Sequence, residues 1–444
     1  MRRFSVVFVV LAVCSTVLSA QDSVPKIVDL KERARVIDTW LEARFEKVIP
    51  MLMRREGIDM WLVIAREYNE DPVIETMLPA KWHAARRRTI LMFFDRGEEQ
   101  GVERLAVARY DIGTFKRAWF PEENPDQWDQ LAILIQERNP KKIGLNISRM
   151  SNHADGLTKS QYDELVAALP DELDSRIVSA EMLAIGWLET RIEEEMVVYP
   201  QICAIAHAII AEGLSNKVIQ PGITTTEDVQ WWYRERIKEL KLDQWFHPSV
   251  SIQRDNTASE GLLEMMEQNE KIILPGDLIH IDFGITYLRL NTDTQQHAYV
   301  LKPGEKDAPE GLKKALAVGN RLQNILLSNY VAGRTGNEIL KASREQAIAE
   351  GIVPSIYTHP LGFHGHAAGP TIGMWDNQNG IPGEGDYPLY ANTAYSIELN
   401  ATVEIPEWNN KKIRIMLEED AFFDGEKIWY INGRQTKFHL IPRN

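Results

Sequence analysis

Residues 278–300 read LIHIDFGITYLRLNTDTQQHAYV, and this stretch decides how the C-terminal part of the chain folds. Its apolar runs flank a short segment around Tyr287 and Leu288, which predicts a β-hairpin. Asp282 follows the run LIHI, where an unpaired carboxylate is costly to bury. Asp293 lies beyond the hairpin, at an odd spacing that would place it on the opposite face of one flat strand. A turn or bulge near Tyr287 and Leu288 would bring the two carboxylates together, and a bound cation would offset the cost of burying them.

A second group of polar residues lies in the segment THPLGFHGHAAGP, residues 358–370. It contains His359, His364 and His366, three of the ten histidines in the chain. Neutral imidazole binds divalent metals, and the surrounding glycines permit close approach of the backbone to a ligand. We expect His359 to be a metal ligand, His366 to contact the substrate or the intermediate, and His364 to belong to the loop structure.

Acidic residues also interrupt two further apolar strands. Glu398 lies in YSIEL, residues 395–399, and the pair Glu418 and Glu419 lies in IRIMLEEDAFF, residues 413–423. Taken alone, each is equally explained by a strand end or a solvent-facing position. With the two aspartates and the first histidine they form an oxygen-rich set with a single nitrogen, which suits Mn²⁺ and, less selectively, Co²⁺ or Zn²⁺. No cysteine lies near these motifs, which argues against a structural zinc site.

The sequence therefore predicts a centre for two divalent metal ions in the C-terminal half of the chain. The predicted ligands are Asp282, Asp293, His359, Glu398 and one of the adjacent Glu418 and Glu419. Paired metal ions of this kind activate water for hydrolysis, so the predicted function is that of a hydrolase.

The first part of the chain has a different pattern. Segments that predict helices or strands alternate at about 30–56, 60–64, 89–94, 105–110, 142–147 and 160–169. Alternation of this kind is typical of an α/β domain, which we expect to end near residue 180.

The pattern after residue 180 repeats one order of elements: helix, glycine turn, capped helix and strands. The predicted parts of the two copies are helices at about 181–214 and 309–330, and capping boxes at Thr224 with Glu227 and at Thr335 with Glu338. Two similar halves that each contribute carboxylates to one cleft are a natural way to build a two-metal centre.

The net charge and the first residues of the chain indicate which partners and which cellular location to expect. The 444 residues carry a formal net charge of -14, which argues against nucleic-acid binding. Residues 1–20 begin with a basic pair, continue as a short apolar run and end on small residues, which predicts a secretory signal peptide. Its removal leaves no predicted membrane span and leaves Cys203 as the last thiol, with buried packing as its default role. We expect an exported protein, periplasmic or secreted, without an internal disulfide.

The order and spacing of these motifs resemble the metallopeptidases with the pita-bread fold, which include Xaa-Pro aminopeptidases, Xaa-Pro dipeptidases (prolidases) and methionine aminopeptidases. The family pattern is Asp-x-Gly with a second Asp eleven residues on, His with Gly three and His seven residues later, Ser-Ile-Glu, and an Arg-x-Glu-Glu-Asp-like strand. The matching residues are Asp282 and Asp293; His359, Gly362 and His366; Glu398; and residues 414–420. The resemblance covers about residues 180–440 and, more faintly, the preceding domain, which is similar to the N-terminal domain of the prolyl branch.

The resemblance implies an α/β creatinase-like N-terminal domain at 21–180 and an α+β pita-bread catalytic domain at 181–444 with pseudo-twofold halves. It implies hydrolysis of short peptides, as by an Xaa-Pro aminopeptidase or dipeptidase, and a homodimer. It also favours Glu418 as the last ligand. Glu398 would in addition carry a proton to the leaving amine, and His366 would stabilise the oxyanion.

The chain departs from the family pattern at positions that contact substrate. No histidine follows Asn256 before His280, Ala367 replaces a frequent Glu, and Gln295 and Gln296 stand where a basic residue is common. Two other functions therefore stay open: a metal-dependent amidohydrolase acting on a non-peptide C–N bond, and a catalytically inactive binding protein of the same fold. Measuring the metal content distinguishes the inactive binding protein from the enzymes, because an inactive binding protein need not hold two metal ions.

Overall fold

A computed structural model describes residues 24–255 and 271–442, so the predicted signal peptide and Asn256 lie outside the described residues. The described α-helices are α1 (Leu30–Glu56), α2 (Pro72–Met77), α3 (Gln127–Arg138), α4 (Lys159–Ala168), α5 (Asp171–Asp174), α6 (Glu181–Glu189), α7 (Glu193–Gly213), α8 (Thr226–Glu239), α9 (Glu310–Ser328) and α10 (Gly336–Ala349). The strands of the first part are β1 (Met60–Arg66), β2 (Arg88–Asp95), β3 (Val102–Ala106), β4 (Lys116–Arg117), β5 (Ile143–Leu145) and β6 (Ile177–Ser179). The later strands are β7 (Ser249–Gln253), β8 (Leu278–Phe283), β9 (Thr286–Tyr287), β10 (Leu290–Asn291), β11 (Thr294–Val300), β12 (Val353–Ile356), β13 (His359–Leu361), β14 (Thr393–Ser396), β15 (Leu399–Ile405), β16 (Lys411–Leu417), β17 (Asp420–Phe423), β18 (Ile428–Tyr430) and β19 (His439–Ile441).

The first part of the chain builds a mixed six-stranded sheet in the order β4-β3-β2-β1-β5-β6. Its central strand β1 is buried on both faces. Trp61 and Val63 pack with residues of α1, whereas Leu62 and Ile64 pack with residues of α3, as the alternation of strand side chains requires. The predicted α/β layers are therefore present, with helices on both sides of the sheet.

One predicted strand in this part is displaced. The sequence predicts a strand at 105–110, but β3 begins at Val102 and ends at Ala106. Pairing with β2 decides its position, since Val102 lies opposite Asp95 and Ala106 opposite Leu91. The chain enters α6 directly after β6, where the sequence predicts the domain boundary, and that boundary remains a prediction.

The prediction of one continuous helix at 181–214 is wrong, because the chain breaks between α6 and α7. Thr190 forms a bridge with Thr393, and the Arg191 N–H donates to the Asn392 carbonyl at 2.7 Å. The Glu195 carboxylate then accepts from the Ile192 N–H at 3.1 Å at the start of α7. The break thus anchors the two helices to the sheet that carries β14.

One of the two predicted capping boxes is confirmed and the other is shifted by one residue. Thr335 caps α10 together with Glu338, as predicted. At α8 the box consists of Thr225 and Asp228 rather than Thr224 and Glu227. The Thr224 hydroxyl instead accepts from the Gln220 N–H at 2.9 Å in the preceding turn.

The remaining strands form the sheets that carry the site, and these show the predicted repetition. In the first half, α7 and α8 precede the antiparallel strands β7, β8 and β11. In the second half, α9 and α10 precede the antiparallel strands β12, β15 and β16. A bridge between Gln295 and Glu418 links the two halves, so residues from both can meet at one place.

Within the described part of the chain, α7 is the one helix long and apolar enough to cross a membrane by length and composition. Its residues Ile202, Cys203 and Ile209 are buried in the main hydrophobic core. A core helix passes the same test of length and composition, and α7 is packed as one. The predicted packing role of Cys203 is confirmed by this burial.

Candidate metal centre

The hairpin predicted between the two aspartates is present. Leu288 and Arg289 form its turn between β9 and β10 with φ values of 56° and 65°. This excursion lies between β8, which carries Asp282, and Asp293, which immediately precedes β11. One carboxylate oxygen from each aspartate and one from Glu418 lie within 4.8 Å of one another. The turn therefore brings the two carboxylates to one point, despite their odd spacing.

The second half of the catalytic region contributes the other three side chains. His359 begins β13, Glu398 lies between β14 and β15, and Glu418 lies between β16 and β17. The His359 Nε2 atom lies 3.6 Å from Glu418 Oε1 and 3.9 Å from Glu398 Oε2. It also lies 3.5 Å from Asp293 Oδ2. All five predicted ligands thus converge in space.

The donor atoms at this point fit metal binding. The Asp282 Oδ1, Asp293 Oδ1 and His359 Nε2 atoms are buried and have no hydrogen-bond partner within the described part of the chain. Buried polar atoms are normally hydrogen-bonded, and an unpaired one calls for an explanation such as an ion. Oxygen donors with one imidazole nitrogen match the chemistry of a divalent first-row metal. The residues present therefore fit the two metal ions predicted from the sequence.

The electrostatics of the cluster also call for a cation. Burial, followed by the charge of Glu418, raises the pKa of Asp282, Asp293 and Glu398 well above the usual range. Burial alone would lower the pKa of His359, but the hydrogen bonds and the charges of Glu418 and Glu398 together outweigh this and raise the pKa. A cation between these groups would hold the carboxylates in their ionised form.

The structure separates the two candidate glutamates. Glu418 faces the cluster and accepts a hydrogen bond from the Ser396 hydroxyl at 2.6 Å. Glu419 faces away: its Oε2 lies 2.7 Å from His207 Nε2, and its Oε1 accepts from Gln296 Nε2 at 2.8 Å. Successive strand residues point to opposite faces, so the two cannot both serve. The geometry favours Glu418 as the ligand.

His366 lies beside the cluster on its exposed side. Its ring centroid lies 4.7 Å from that of His359 and 5.2 Å from the ring of Trp245. Burial, together with the charge of His359, lowers the pKa of His366, which favours a neutral ring at neutral pH. His364 instead faces the first part of the chain, with its ring 4.7 Å from that of His153.

Gln295, which the sequence places among the altered substrate contacts, instead contacts two of the proposed metal ligands. Its Nε2 atom donates to Glu398 Oε1 and, at 2.8 Å, to Glu418 Oε2. Its Oε1 atom lies 2.8 Å from His280 Nε2, so His280 donates this hydrogen bond. Burial lowers the pKa of His280 to about 4, which keeps the ring neutral. The available signal was its position two residues after Asp293, on the strand opposite Asp282.

Asp420 is a second residue that supports the site without belonging to the predicted set. It accepts hydrogen bonds from the Asp293 N–H at 3.0 Å and from the Cys203 thiol at 3.2 Å. Burial raises its pKa to about 7. Asp420 therefore holds the backbone of Asp293 in place.

Solved structures with the same fold are described as aminopeptidases or dipeptidases. An X-Pro aminopeptidase from Thermotoga maritima is 18% identical with a TM-score of 0.60, covering 88% of this chain and 99% of that one. An Xaa-Pro dipeptidase from Bacillus anthracis is 17% identical with a TM-score of 0.57, covering 93% and 100%. A dipeptidase from Pyrococcus horikoshii is 17% identical with a TM-score of 0.58, covering 90% and 99%. These likenesses confirm the predicted fold, an α/β domain followed by a pita-bread catalytic domain.

The search of curated proteins finds no match to this chain. The model of metallopeptidase family M24 matches residues 199–422, which is just over half of the 444 residues and includes all five clustered side chains. The predicted family resemblance is thereby confirmed: this chain belongs to metallopeptidase family M24.

Proposed function

We propose that this chain is an exported two-metal peptidase that cleaves short peptides, as an Xaa-Pro aminopeptidase or dipeptidase. The observation that carries the proposal is the convergence of Asp282, Asp293, His359, Glu398 and Glu418, three of whose ligand atoms have no hydrogen-bond partner among residues 24–255 and 271–442. Because the chain belongs to a metallopeptidase family, the most direct use of this cluster is to bind the metal ions of a peptidase. The titles of the similar structures support the prolyl class of substrate.

The proposed ligands are these five side chains, with Mn²⁺ preferred to Co²⁺ or Zn²⁺ on the chemistry of the donors. When bound, two divalent ions would acidify a water molecule and polarise the scissile carbonyl. Asp282, Asp293 and Glu418 would supply carboxylate oxygens on one side of the cluster, and His359 would supply the nitrogen. Gln295 would hold Glu398 and Glu418 in place through its amide N–H groups.

The remaining chemistry falls to Glu398 and His366. Glu398 would accept a proton from the attacking water and deliver it to the leaving amine, which is general acid–base catalysis. His366, on the exposed side of His359, would donate a hydrogen bond to the oxyanion of the tetrahedral intermediate.

The exposed side of the cluster is where a peptide would enter. His366 and the neighbouring Trp245 lie there and would contact the substrate. The predicted homodimer, and export to the periplasm or the medium, are part of the same proposal. Export is supported by the signal peptide predicted at residues 1–20, and the homodimer by the family resemblance.

The test is hydrolysis of four compounds, Ala-Pro, Ala-Pro-Ala, Ala-Ala and an acylated amino acid, each with and without Mn²⁺. Metal-dependent release from the proline peptides by the mature chain, and none by His359→Ala, would support the proposal. The ratio of dipeptide to tripeptide turnover then distinguishes dipeptidase from aminopeptidase. Peptide cleavage by His359→Ala at the native rate would contradict it.

A second function is favoured by one specific observation. Gln295 and Gln296 replace a basic residue common in the family, and Gln295 contacts two of the proposed ligands. A site altered in this way suits hydrolysis of a non-peptide C–N bond. Cleavage of the acylated amino acid without cleavage of any peptide would select this alternative.

A further inference from the structure

A second cavity, separate from the metal centre, lies at one end of the six-stranded sheet, beside the start of β2 and the end of β3. It has a volume of about 730 Å³, which falls within the range of small-molecule sites. Four arginines line it: Arg86, Arg87, Arg88 and Arg109. None of the proposed metal ligands lies in its wall. Such a concentration of positive charge is unexpected on a chain with a net charge of -14.

Three of these arginines lack an acidic partner. Within the described residues, Arg88 pairs with Glu164 at 3.0 Å, whereas no carboxylate lies within ion-pair distance of Arg86, Arg87 or Arg109. The nearby Glu122 pairs instead with Arg117, at 2.9 Å. These three guanidinium groups therefore lack a direct ion-pair partner among the described residues.

The two acids in the cavity wall offset only half of the charge of the four arginines. Asp126 caps α3 and accepts hydrogen bonds from the N–H groups of Trp128 and Asp129. Glu67 accepts the Arg87 backbone N–H at 3.3 Å and makes no side-chain ion pair. The wall thus contains four positive and two negative side chains, and both acids are engaged by backbone groups.

Aromatic rings hold two of the guanidinium groups in position. Arg86 lies over Trp82, 4.7 Å from the ring centroid, and Arg109 lies over Trp119 at 5.2 Å. The Trp119 ring is itself fixed, since its Nε1–H donates to the Asn124 carbonyl at 2.9 Å. A guanidinium whose face rests on a ring keeps its N–H edge available for a planar anion.

We propose that this cavity binds a compact anion that carries two or more carboxylate or phosphate groups. Arg86, Arg87 and Arg109 would each donate hydrogen bonds to an anionic group, because the guanidinium fork matches both groups in a bidentate manner. Trp119 and Tyr110, which also line the cavity, would cover the body of the ligand. This is a second ligand site, and it does not depend on the proposed peptidase activity.

The test is isothermal titration calorimetry of the mature protein with two probes, pyrophosphate and succinate, at ionic strength matched with sodium chloride. Binding of at least one probe with a Kd below about 1 mM is expected. The double variant Arg86→Gln/Arg109→Gln should weaken that binding about tenfold or more, as expected from the loss of charge-assisted hydrogen bonds. Binding of one probe alone would identify the ligand as a phosphate compound or a dicarboxylate.

The matched control is Arg96→Gln/Arg149→Gln, which removes the same charge from two exposed arginines outside the cavity wall and should leave the Kd unchanged. His359→Ala should bind the probes like the native chain, which separates this cavity from the metal centre. If the first double variant does not fold, Arg109→Lys keeps the charge, loses the fork and should weaken binding severalfold. Failure of both probes to bind, or equal binding by the cavity variants, would overturn the proposal.

Discussion

Two of the groups of charged side chains buried within residues 24–255 and 271–442 are stabilised in opposite ways. The metal-centre cluster contains four carboxylates and one histidine, and no lysine or arginine within the described residues pairs with any of them. The second group lies where α1 meets α6 and α7 and contains Arg44, Arg191, Glu189 and Glu195, each no more than 2% exposed. In this second group Glu195 lies 3.2 Å from Arg44 and 3.5 Å from Arg191, so arginines of the protein itself neutralise the buried carboxylate.

The difference shows which buried charges are neutralised by other side chains of the protein. Arg44 Nη1 lies 3.2 Å from Glu195 Oε1 and donates to the Thr190 carbonyl at 2.6 Å. Burial lowers the pKa of Arg44 to about 10, so it stays cationic at neutral pH. The metal-centre cluster has no such internal cation, and two divalent ions would supply the four positive charges that its carboxylates lack.

The largest expected effect comes from removing one ligand of the unbalanced cluster. Glu418→Gln should lower peptide turnover at least about a thousandfold, because metal ions contribute several kcal/mol to stabilising the transition state. Glu419→Gln is the matched control, since that side chain faces His207 and Gln296 instead. Turnover and Mn²⁺ content are measured on both variants. Loss of metal in Glu419→Gln with retention in Glu418→Gln would reverse the assignment of the ligand.

The second group is weakened by removing one of its two arginines. Arg44→Met should lower the free energy of unfolding by about 3–5 kcal/mol, because Glu195 would keep a buried charge with one partner fewer. Urea denaturation measures this loss, and the metal stoichiometry should not change. The double variant Arg44→Met/Glu195→Gln should recover a large part of the stability. A loss below about 1 kcal/mol in the single variant would show that this pair is not needed.

The next variant weakens the contacts that hold the metal ligands in place, without removing a ligand. Gln295→Leu should lower Mn²⁺ affinity by about 10–100-fold, the range typical of groups that orient ligands. Its amide contacts Glu398 and Glu418, whereas the adjacent Gln296 contacts Glu419 and His439. Gln296→Leu is therefore the control and should bind Mn²⁺ nearly as the native chain does. Equal affinities in both variants would remove the positioning role of Gln295.

The smallest expected effect concerns the pH dependence of stability. Burial raises the pKa of Glu189 to about 8, in spite of the opposing charges of Arg55 and Arg191. The folded state therefore holds a proton that the unfolded state has released, and stability falls as pH rises through this value. Between pH 7 and 9 the native chain should lose about 1 kcal/mol more stability than Glu189→Gln. Parallel stability–pH curves for the two proteins would contradict the assignment.

The sequence predicted the parts of this structure that depend on periodicity and local chemistry. The helix at 30–56, the capping box of Thr335 and the hairpin turn near Leu288 are all present. The order of Asp, His and Glu motifs identified the side chains that converge, because each motif interrupts an apolar strand with a group that is costly to bury.

Features that depend on contacts distant in the chain could not be predicted in the same way. The break between α6 and α7 is imposed by pairing of Thr190 with Thr393, about two hundred positions away. The contact of Gln295 with Glu398 likewise joins strands that only the fold brings together. The basic cavity combines residues from β2, the loop after β3 and the start of α3, so no local motif marks it.

The most direct test is titration of the metal-free mature chain with Mn²⁺ by calorimetry, followed by measurement of Ala-Pro and Ala-Pro-Ala turnover in the same samples. A two-metal peptidase should bind two ions per chain, and turnover should rise with occupancy. His359→Ala should fail in both measurements. If the native chain binds fewer than two ions at saturation, or cleaves neither peptide when fully loaded, the two-metal peptidase is contradicted.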